Sequence, residues 1–193
     1  MNLEKLCEAG LELFLADGTA AVTIDQIVTR AGMAKGNFYR YVADKAELVD
    51  LIMDPVRTEV TSALDRCEES LRRADRDQIA AVYVQLATDL SAAGARHASR
   101  VLLFLQEARA PAGATRDSIH ALADQLTERA IALTEVARDH GLIRDVDPRI
   151  SALSVIGGIE AILFAYLRRD VLTSPVPMMI SELVAIVLRG IRP

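Results

Sequence analysis

Hydrophobic residues recur every three or four positions along most of this chain, which is the spacing expected for amphipathic α-helices. Glycine and proline are sparse and fall mostly where these periodic stretches end. The pattern therefore predicts an all-α protein of about nine helices. They cover approximately residues 3–17, 24–31, 34–41, 45–73, 78–93, 96–109, 115–140 and 148–169, with a last helix opened by Ser174 and Pro175.

The first two helices are bounded by local stop and start residues. Leu6 and Phe14 belong to the apolar face of the first helix, and Gly18 suits the left-handed conformation just past its end. The hydroxyl of Thr23 can cap the next helix, and Gln26 three residues later completes a capping box. A second helix is therefore predicted to begin directly after Thr23.

The segment 23–45 has the pattern of a helix, a tight turn, a second short helix and the start of a third. Gly32 permits the sharp turn, and Phe38 and Val42, four residues apart, are predicted to face inward. Two short helices joined by a glycine-containing turn are typical of a helix-turn-helix, whose second helix enters the DNA major groove. The opposite face of that helix carries Lys35, Gly36, Asn37, Tyr39 and Arg40.

These residue types suit contact with DNA. Lysine and arginine neutralise phosphates, asparagine and arginine can pair with base edges, and glycine lets the backbone approach the duplex. Lys45 lies at the start of the following helix, where backbone amides also favour a phosphate. Each residue alone is more often solvated surface on a small helical bundle, but their joint spacing favours a DNA-binding regulator.

Length and charge agree with a small recognition surface on an acidic body. The chain has 193 residues, enough to bury a substantial core, and its 51% hydrophobic content disfavours disorder. The net charge of −5 disfavours general nucleic-acid binding. The basic footprint is local instead, because residues 30–45 contain Arg30, Lys35, Arg40 and Lys45 against Asp44 alone.

We expect a reduced, cytoplasmic protein without a membrane span, a metal or a cofactor. Cys7 and Cys67 are far apart and not in a metal-ligand spacing, and the three histidines lie on different helices or helix ends. The first helix starts almost at Met1 and contains charged residues, unlike a signal peptide. The most apolar stretch, 151–167, is short for a bilayer and contains Glu160, so a buried interface helix is predicted there.

The amino-terminal quarter resembles a known family. The matching motifs are AGLELF at 9–14, DG at 17–18, TIDQIVTRAGMAKGNFYRYV at 23–42 and DKAEL at 44–48. Through them, residues 3–53 resemble the DNA-binding domain of the tetracycline-repressor (TetR) family of bacterial transcriptional regulators. The resemblance implies an all-helical homodimer with a divergent carboxy-terminal effector domain. It also implies DNA contacts from Thr23, Lys35, Gly36, Asn37, Tyr39, Arg40, Tyr41 and Lys45.

Three residues depart from the family pattern. Ala34 stands where the family usually has serine or threonine, which removes a helix cap worth roughly 1 kcal/mol. Asn37 replaces a common threonine, and Tyr41 replaces a common histidine. Because asparagine can pair bidentately with adenine, we expect the change at Asn37 to alter base preference.

The chain beyond the helix-turn-helix is predicted to dimerise. Pro55 should kink the fourth helix near Ile52, and this helix is either the transmitter of a conformational signal or a plain linker. Gly157 and Gly158 weaken a helix interior, a loss that close backbone approach would offset. The resemblance implies that the last two helices form the dimer interface; the alternative is that they pack only within the monomer. The predicted interface residues are Gly157, Gly158, Ala161, Leu183, Ile186 and Val187.

An effector pocket is likewise implied by the family. Residues of its predicted lining are, taken singly, more often core filler or, for Glu107 and His120, solvated; they comprise Tyr83, Phe104, Glu107, His120, Phe164 and Tyr166. We therefore expect a DNA-binding domain at 1–47 and an effector-binding and dimerisation domain at 48–193. The predicted function is that of a repressor that binds a palindromic operator in double-stranded DNA as a homodimer and is released by an unknown small molecule.

Two other functions fit the sequence less well. A helical protein-interaction adaptor would use the same dimer surface without DNA, but the basic face disfavours it. A helical enzyme would need a catalytic constellation, and the sequence has neither a glycine-rich phosphate loop nor a nucleophile elbow.

Overall fold

The structure, a computed structural model, describes residues 2–167 and 176–191. Within these ranges the chain forms nine α-helices and one 3₁₀ turn at 114–116, with no strand. The all-α fold predicted from the hydrophobic spacing is confirmed. The helices are α1 Asn2–Asp17, α2 Ile24–Arg30, α3 Lys35–Phe38, α4 Lys45–Arg73, α5 Ile79–Arg96, α6 Ala98–Glu107, α7 Asp117–Asp139, α8 Pro148–Leu167 and α9 Val176–Ile191.

Several predicted helix ends are confirmed by the backbone. Gly18 after α1 and Gly141 after α7 have φ values of +81° and +65°, as expected for left-handed residues past a helix. Asp147 caps α8, because its Oδ1 accepts hydrogen bonds from the backbone N–H groups of Arg149 at 2.9 Å and Ile150 at 3.0 Å. Glycine residues thus follow the ends of α1 and α7, and an aspartate caps the start of α8.

Other predicted ends are wrong. Gly94 does not end α5, which continues to Arg96. The neighbouring Ala93 is buried, and packing of that kind can offset the roughly 1 kcal/mol by which glycine weakens a helix interior. The helix predicted over 96–109 is shorter and spans only α6. Outside the described residues lie the predicted end of α8 at Arg169 and the predicted start of the last helix at Ser174 and Pro175.

α4 contains Pro55 and continues through it to Arg73. Proline lacks the N–H that would bond to the carbonyl one turn back, so the hydrogen bonding of this part of the helix is incomplete. In the same region, Arg100 of α6 donates from its Nε to the carbonyl of Ile52 at 2.9 Å. The kink near Ile52 stays a prediction. The carbonyl of Ile52 accepts its side-chain hydrogen bond from a residue 48 positions later in the chain.

The chain forms two compact units, and α4 and α7 are each divided between them. The first unit comprises residues up to 57 together with 97–123. The second comprises 58–96 and the described part of 124–193. The boundary predicted between residues 47 and 48 falls in the first turn of α4 and stays a prediction.

The first unit holds the helix-turn-helix on α1. α1 contacts both α2 and α6, and α2 contacts α3. Fully buried side chains of these helices and of the first turns of α4 remove a large apolar area from water, which fixes the short helices in place. They include Leu6, Phe14, Ile27, Phe38, Leu48, Ile52 and Leu103.

The second unit has its own core. α5 packs against α9, and buried residues of α4 and α7 complete the cluster. Its members include Leu64, Leu71, Ile79, Leu133, Val184 and Leu188. Cys67 belongs to the same cluster, and desolvation raises the pKa of its thiol to about 12, so it remains a protonated core residue.

α8 is apolar along most of its length, yet within the described chain only Ala152 of this helix is buried. Ile150 and Leu153 are 67% and 58% exposed. Judged by length and composition alone, α8 is also the single helix in the described ranges that could cross a bilayer. A contiguous apolar surface of this kind normally marks a site of association.

Candidate nucleic-acid interface

The capping box predicted at the start of α2 is present. The hydroxyl of Thr23 accepts a hydrogen bond from the backbone N–H of Gln26 at 3.3 Å. The side-chain oxygen of Gln26 accepts in return from the backbone N–H of Thr23 at 2.8 Å. Two amides at the helix start are thereby paired, which fixes the backbone where the helix-turn-helix begins.

The turn between α2 and α3 is a Schellman motif centred on Gly32, whose φ is +66°. The N–H of Met33 donates to the carbonyl of Val28 at 2.8 Å, and the N–H of Gly32 donates to the carbonyl of Thr29 at 3.1 Å. These bonds satisfy the last carbonyls of α2 and set the direction in which the chain enters α3. The prediction that Gly32 permits a sharp turn is confirmed.

The second helix of the pair is shorter than predicted. α3 spans only Lys35–Phe38, and residues 39–41 continue as turns in which the Tyr41 N–H donates three residues back at 2.9 Å. The predicted end near Tyr41 is therefore wrong. The physical reason is weak initiation: Ala34 provides no side-chain cap, and Gly36 has low helix propensity, so few residues follow the first turn.

Aromatic side chains are held at this surface by buried anchors. Phe38 and Val42 are 0% and 3% exposed, which confirms that they face inward. The ring of Tyr39 meets the ring of Phe38 edge-on, with centroids 5.3 Å apart, and is nevertheless 54% exposed. Tyr41 is 37% exposed, and its hydroxyl accepts a hydrogen bond from Asn2 Nδ2 at 3.1 Å. Both phenols are available to solvent on a fixed backbone.

The other residues predicted to contact DNA differ in solvent exposure. Thr23, Lys35, Gly36 and Arg40 are exposed, whereas Asn37 is half-buried. A Cβ added to Gly36 would meet no other part of the described chain within 4 Å, so the backbone here is open to a close approach. The exposed residues combine cationic and hydroxyl groups, which are the usual partners of phosphate oxygens.

Lys35 is paired within the helix-turn-helix. Its Nζ lies 2.8 Å from Asp25 Oδ1, and both side chains are more than half exposed. The hydrogen bond to Asp25 and the attraction of its carboxylate raise the pKa of Lys35, so the lysine remains charged. A phosphate that approaches Lys35 would therefore compete with the Asp25 carboxylate for its ammonium.

The ammonium of Lys45 is hydrogen-bonded within the protein. Its Nζ donates to the carbonyl of Val22 at 2.6 Å and to that of Ala20 at 3.3 Å. Desolvation, together with the nearby charge of Arg116, lowers its pKa, and Glu107 partly offsets this. The sequence predicted a phosphate contact for Lys45, and the structure gives its ammonium two backbone acceptors in the loop before α2.

The loop before α2 makes a second contact with a distant part of the chain, which the sequence did not predict. Glu107, at the end of α6, accepts hydrogen bonds from Thr19 and is paired with Arg116. Thr19 and Glu107 are 88 residues apart, so no local spacing signals the contact. The only sign in the sequence is that Glu107 ends an otherwise apolar helical stretch.

The residues predicted to line an effector pocket lie in both units. Phe104, Glu107 and His120 belong to the first unit, and Tyr83, Phe164 and Tyr166 belong to the second. Glu107 is 4% exposed and Phe104 is 7% exposed. Tyr83 packs against the core of the second unit, and desolvation raises the pKa of its phenol. The described residues contain no cluster of three His, Cys, Asp or Glu side chains that could hold a metal ion.

The residues predicted at a dimer interface lie on α8 and α9. Ile186 is 65% exposed and Ala161 is also exposed, while Leu183 and Val187 are half-buried. A Cβ added to Gly157 or Gly158 would meet nothing else in the described chain within 4 Å. The described part of the chain therefore leaves Ala161 and Ile186 exposed and the other four positions partly exposed.

The amino-terminal part of the chain is similar to a known family. Residues 6–52 match the family model described as "Bacterial regulatory proteins, tetR family", which confirms the resemblance seen in the sequence. No curated protein sequence matches the chain.

Solved structures agree in fold over almost the whole chain. PfmR, a TetR family transcriptional regulator from Thermus thermophilus, is 17% identical with a TM-score of 0.72, covering 95% of this chain and 97% of its own. SmeT, the repressor of a Stenotrophomonas maltophilia multidrug efflux pump, is 20% identical with a TM-score of 0.72, covering 99% and 90%. FadR from Bacillus subtilis, solved with stearoyl-CoA, is 16% identical with a TM-score of 0.70, covering 98% and 99%.

Proposed function

We propose that this chain, whose residues 6–52 match the model of the tetR family of bacterial regulatory proteins, is a homodimeric transcriptional repressor that binds a palindromic operator. It acts in the cytoplasm and is released from the operator by a small-molecule effector. The observation that carries the proposal is the exposed face of Lys35, Tyr39 and Arg40, which stands on the buried anchors Phe38 and Val42. A fixed, cationic helix-turn-helix of this kind suits the major groove.

Each residue of this face has a role toward DNA in the proposal. Lys35 exchanges Asp25 for a phosphate, and Arg40 pairs with a phosphate or with the acceptor edge of guanine. The amide of Asn37 recognises adenine, and the phenol of Tyr39 donates to the backbone of the duplex. Thr23, Gly36, Tyr41 and Lys45 complete the proposed set, with Lys45 contributing through the loop that it holds.

The proposed dimer uses α8 and α9. Within α9, Val184 and Leu188 are buried in the chain's own core, whereas Ile186 is 65% exposed. Ile150 and Leu153 leave a further apolar area of α8 exposed to water. A second copy that covers both helices would remove this area from solvent in an isologous interface. The two recognition helices would then be spaced by about 34–36 Å, one turn of DNA, or a multiple of it.

The proposed effector is a small molecule with a long apolar chain, and it binds the second unit. Tyr83 there is half-buried, and burial raises the pKa of its phenol, so its hydroxyl remains a donor for a ligand oxygen. The stearoyl-CoA of the Bacillus subtilis FadR structure makes long-chain acyl-CoA the first ligand class to test. An effector releases DNA only if it binds the released conformation more tightly than the DNA-bound one.

The experiment that tests DNA binding is selection of operators from random duplexes with the full chain. We expect enrichment of an inverted repeat whose half-site centres are separated by about 10 base pairs or a multiple of this. Fluorescence anisotropy on the selected duplex then gives the affinity, and sedimentation gives the number of chains bound. Absence of any enriched sequence, or binding by a single chain to an asymmetric site, would contradict the proposal.

The effector class is tested separately on the selected operator. Stearoyl-CoA is titrated against the protein–operator complex, with free coenzyme A and stearate as controls for each half of the molecule. We expect dissociation by the thioester at concentrations at which neither control acts. If all three leave operator affinity unchanged, the acyl-CoA class is rejected while the assignment of the DNA-binding face stands.

A further inference from the structure

A buried carboxylate in the first unit is bonded to the loop that precedes the helix-turn-helix. Glu107 is only 4% exposed. Its Oε1 accepts from the backbone N–H of Thr19 at 3.0 Å, and its Oε2 accepts from the Thr19 hydroxyl at 2.9 Å. Thr19 is itself fully buried, so these bonds form away from water, where an unpaired partner is costly.

Arg116 neutralises this carboxylate. Its Nε donates to Glu107 Oε2, and its Nη1 donates to the carbonyl of Pro111 at 3.1 Å. Its side chain is 17% exposed. Although burial acts to raise the pKa of Glu107, the hydrogen bonds from Arg116 and Thr19 lower it overall, so the carboxylate is charged at neutral pH. The loop is thus bonded to a charged and fully partnered group.

The loop residues 18–22 have little freedom to move. Gly18 has a left-handed φ of +81°, and a Cβ at this position would lie 3.2 Å from Glu107 Oε1. Lys45 donates to the carbonyls of Ala20 and Val22, and Val22 is 1% exposed. The next residue, Thr23, is the N-cap of α2 and belongs to the proposed DNA face.

We infer that Glu107 is a positioning residue for DNA binding: its carboxylate holds loop 18–22 in the one conformation that sets Thr23 and the start of α2 against the duplex. The inference rests on the proposed function. Glu107 acts only through Thr19, since it is buried and its two oxygens are already bonded within the protein.

The direction in which one substitution changes DNA affinity distinguishes this positioning role from a purely electrostatic effect. Glu107→Gln removes a negative charge from a protein that binds a polyanion, so a purely electrostatic effect would tighten DNA binding. It also leaves Arg116 without its counter-charge and gives Thr19 a weaker acceptor. The positioning role therefore predicts weaker binding, in the opposite direction from the charge effect.

The experiment measures the affinity of the full chain for the selected operator, corrected for the folded fraction of each variant. We expect Glu107→Gln to weaken binding about tenfold, which is a loss of about 1.4 kcal/mol. Thr19→Val, which deletes the hydroxyl donor, should also weaken binding, whereas Thr19→Ser retains the donor and should bind like the wild type. Glu135→Gln is the charge-matched control, because Glu135 is exposed in the second unit.

Two further measurements make each outcome decisive. In the absence of DNA, hydrogen exchange of the Thr19 amide should be faster in Glu107→Gln than in the wild type. Ile79→Ala weakens the core of the second unit, so it should reduce stability without loss of affinity once affinity is corrected for the folded fraction. Wild-type or tighter binding by Glu107→Gln would overturn the inference, as would an equal loss in Ile79→Ala. If Glu107→Gln does not fold, the affinities of Thr19→Val and Thr19→Ser test the inference instead.

Failure of the proposed function and failure of the inference give different results. A wild-type chain that enriches no operator refutes the proposed function itself, whereas a chain that binds the operator equally well with and without the carboxylate refutes only the inference.

Discussion

The ammonium of Lys35 lies 2.8 Å from the carboxylate of Asp25, so the first basic residue of α3 is paired with the first turn of α2. The pair is exposed, and pairs of this kind contribute little to folding stability. Its consequence is for binding, because Asp25 competes with any phosphate that approaches Lys35. One of the cationic groups proposed to bind DNA is therefore paired within the protein.

Replacing Asp25 with asparagine should tighten operator binding. The substitution removes the competitor of Lys35 and one negative charge from the face, and we expect an affinity gain of about threefold at low salt. Anisotropy titration measures it. Asp145→Asn, an exposed carboxylate of the second unit, is the charge-matched control and should change affinity much less. Equal gains in the two variants would show that only net charge matters.

Removing either central side chain of the face should weaken operator binding with little loss of folding. Lys35→Ala and Tyr39→Ala are each expected to lower affinity about tenfold, and unfolding free energies should change by less than about 1 kcal/mol because both side chains are exposed. Lys35→Ala should also reduce the slope of log affinity against log salt by about one for each phosphate that the variant no longer binds, whereas Tyr39→Ala should not.

Phe38→Ala is the contrasting variant for this pair, because Phe38 is fully buried beneath the face. It should lose roughly 3–5 kcal/mol of stability and fail to bind through loss of structure. Unchanged operator affinity in both Lys35→Ala and Tyr39→Ala would remove the assignment of this face.

A serine at position 34 should stabilise the protein. Ala34 is the N-cap of α3, with an extended backbone (φ −74°, ψ 146°) and no side-chain cap. Serine can place a hydroxyl on the free amides of this helix start, so Ala34→Ser should raise the unfolding free energy by roughly 0.5–1 kcal/mol. Denaturant titration measures the change, and Ala34→Val, which adds bulk without an acceptor, should give no gain. A serine variant no more stable than the valine variant would contradict the prediction.

The features that could be predicted from the sequence are those formed by residues close together in the chain. Thr23 and Gln26 form their capping box across three positions, and the N–H groups of Gly32 and Met33 end α2 with bonds to carbonyls three and five residues earlier. Phe38 and Val42 are four apart and both buried. Because such contacts close within one or two turns, their residue types reveal them without a tertiary structure.

The unpredicted parts depend on contacts between distant segments. Lys45 was expected to meet phosphate by its position at a helix start, yet its partners are loop carbonyls 23 and 25 residues earlier. Glu107 resembled a pocket or surface residue, but its burial next to Thr19 follows only from how α6 packs on α1. Local patterns predict the proposed DNA-binding face, and tertiary packing decides which of its charged groups are already bonded within the protein.

The Glu107 contact should make stability depend on pH. The pKa of Glu107 is lowered in the folded state, against the upward effect of burial, by Arg116 and Thr19, with Lys45 also nearby. A carboxyl whose folded pKa lies below its ordinary value of 4.5 contributes stability above that value and loses it as pH falls through the folded pKa. The wild type should therefore exceed Glu107→Gln by roughly 2–3 kcal/mol near pH 7, a typical value for hydrogen bonds to a charged group.

Denaturant titrations of the two proteins between pH 7 and about pH 3 measure this difference directly. It should shrink below pH 4.5, because protonated glutamate and glutamine are then chemically similar. Thr19→Ser should follow the wild type across the range, since it keeps both donors. A difference that is constant with pH would show that the carboxylate charge contributes nothing to the contact.

A bulky residue at Gly158 should break the proposed dimer while leaving the chain folded. A Cβ at Gly158 meets nothing else in the described chain within 4 Å, so these residues leave room for the first atom of a larger side chain, and we expect Gly158→Leu to act mainly at the proposed interface with a second chain. Gly94, in the last turn of α5, has the same open surroundings and provides the matched control Gly94→Leu. Sedimentation should show a dimer dissociation constant raised at least about a hundredfold in the first variant, the equivalent of about 2.7 kcal/mol, and unchanged in the second. Both leucines should increase helicity in the monomer, because glycine is the weaker helix former by roughly 1 kcal/mol. A Gly158→Leu chain that dimerises as tightly as Gly94→Leu would place the interface elsewhere.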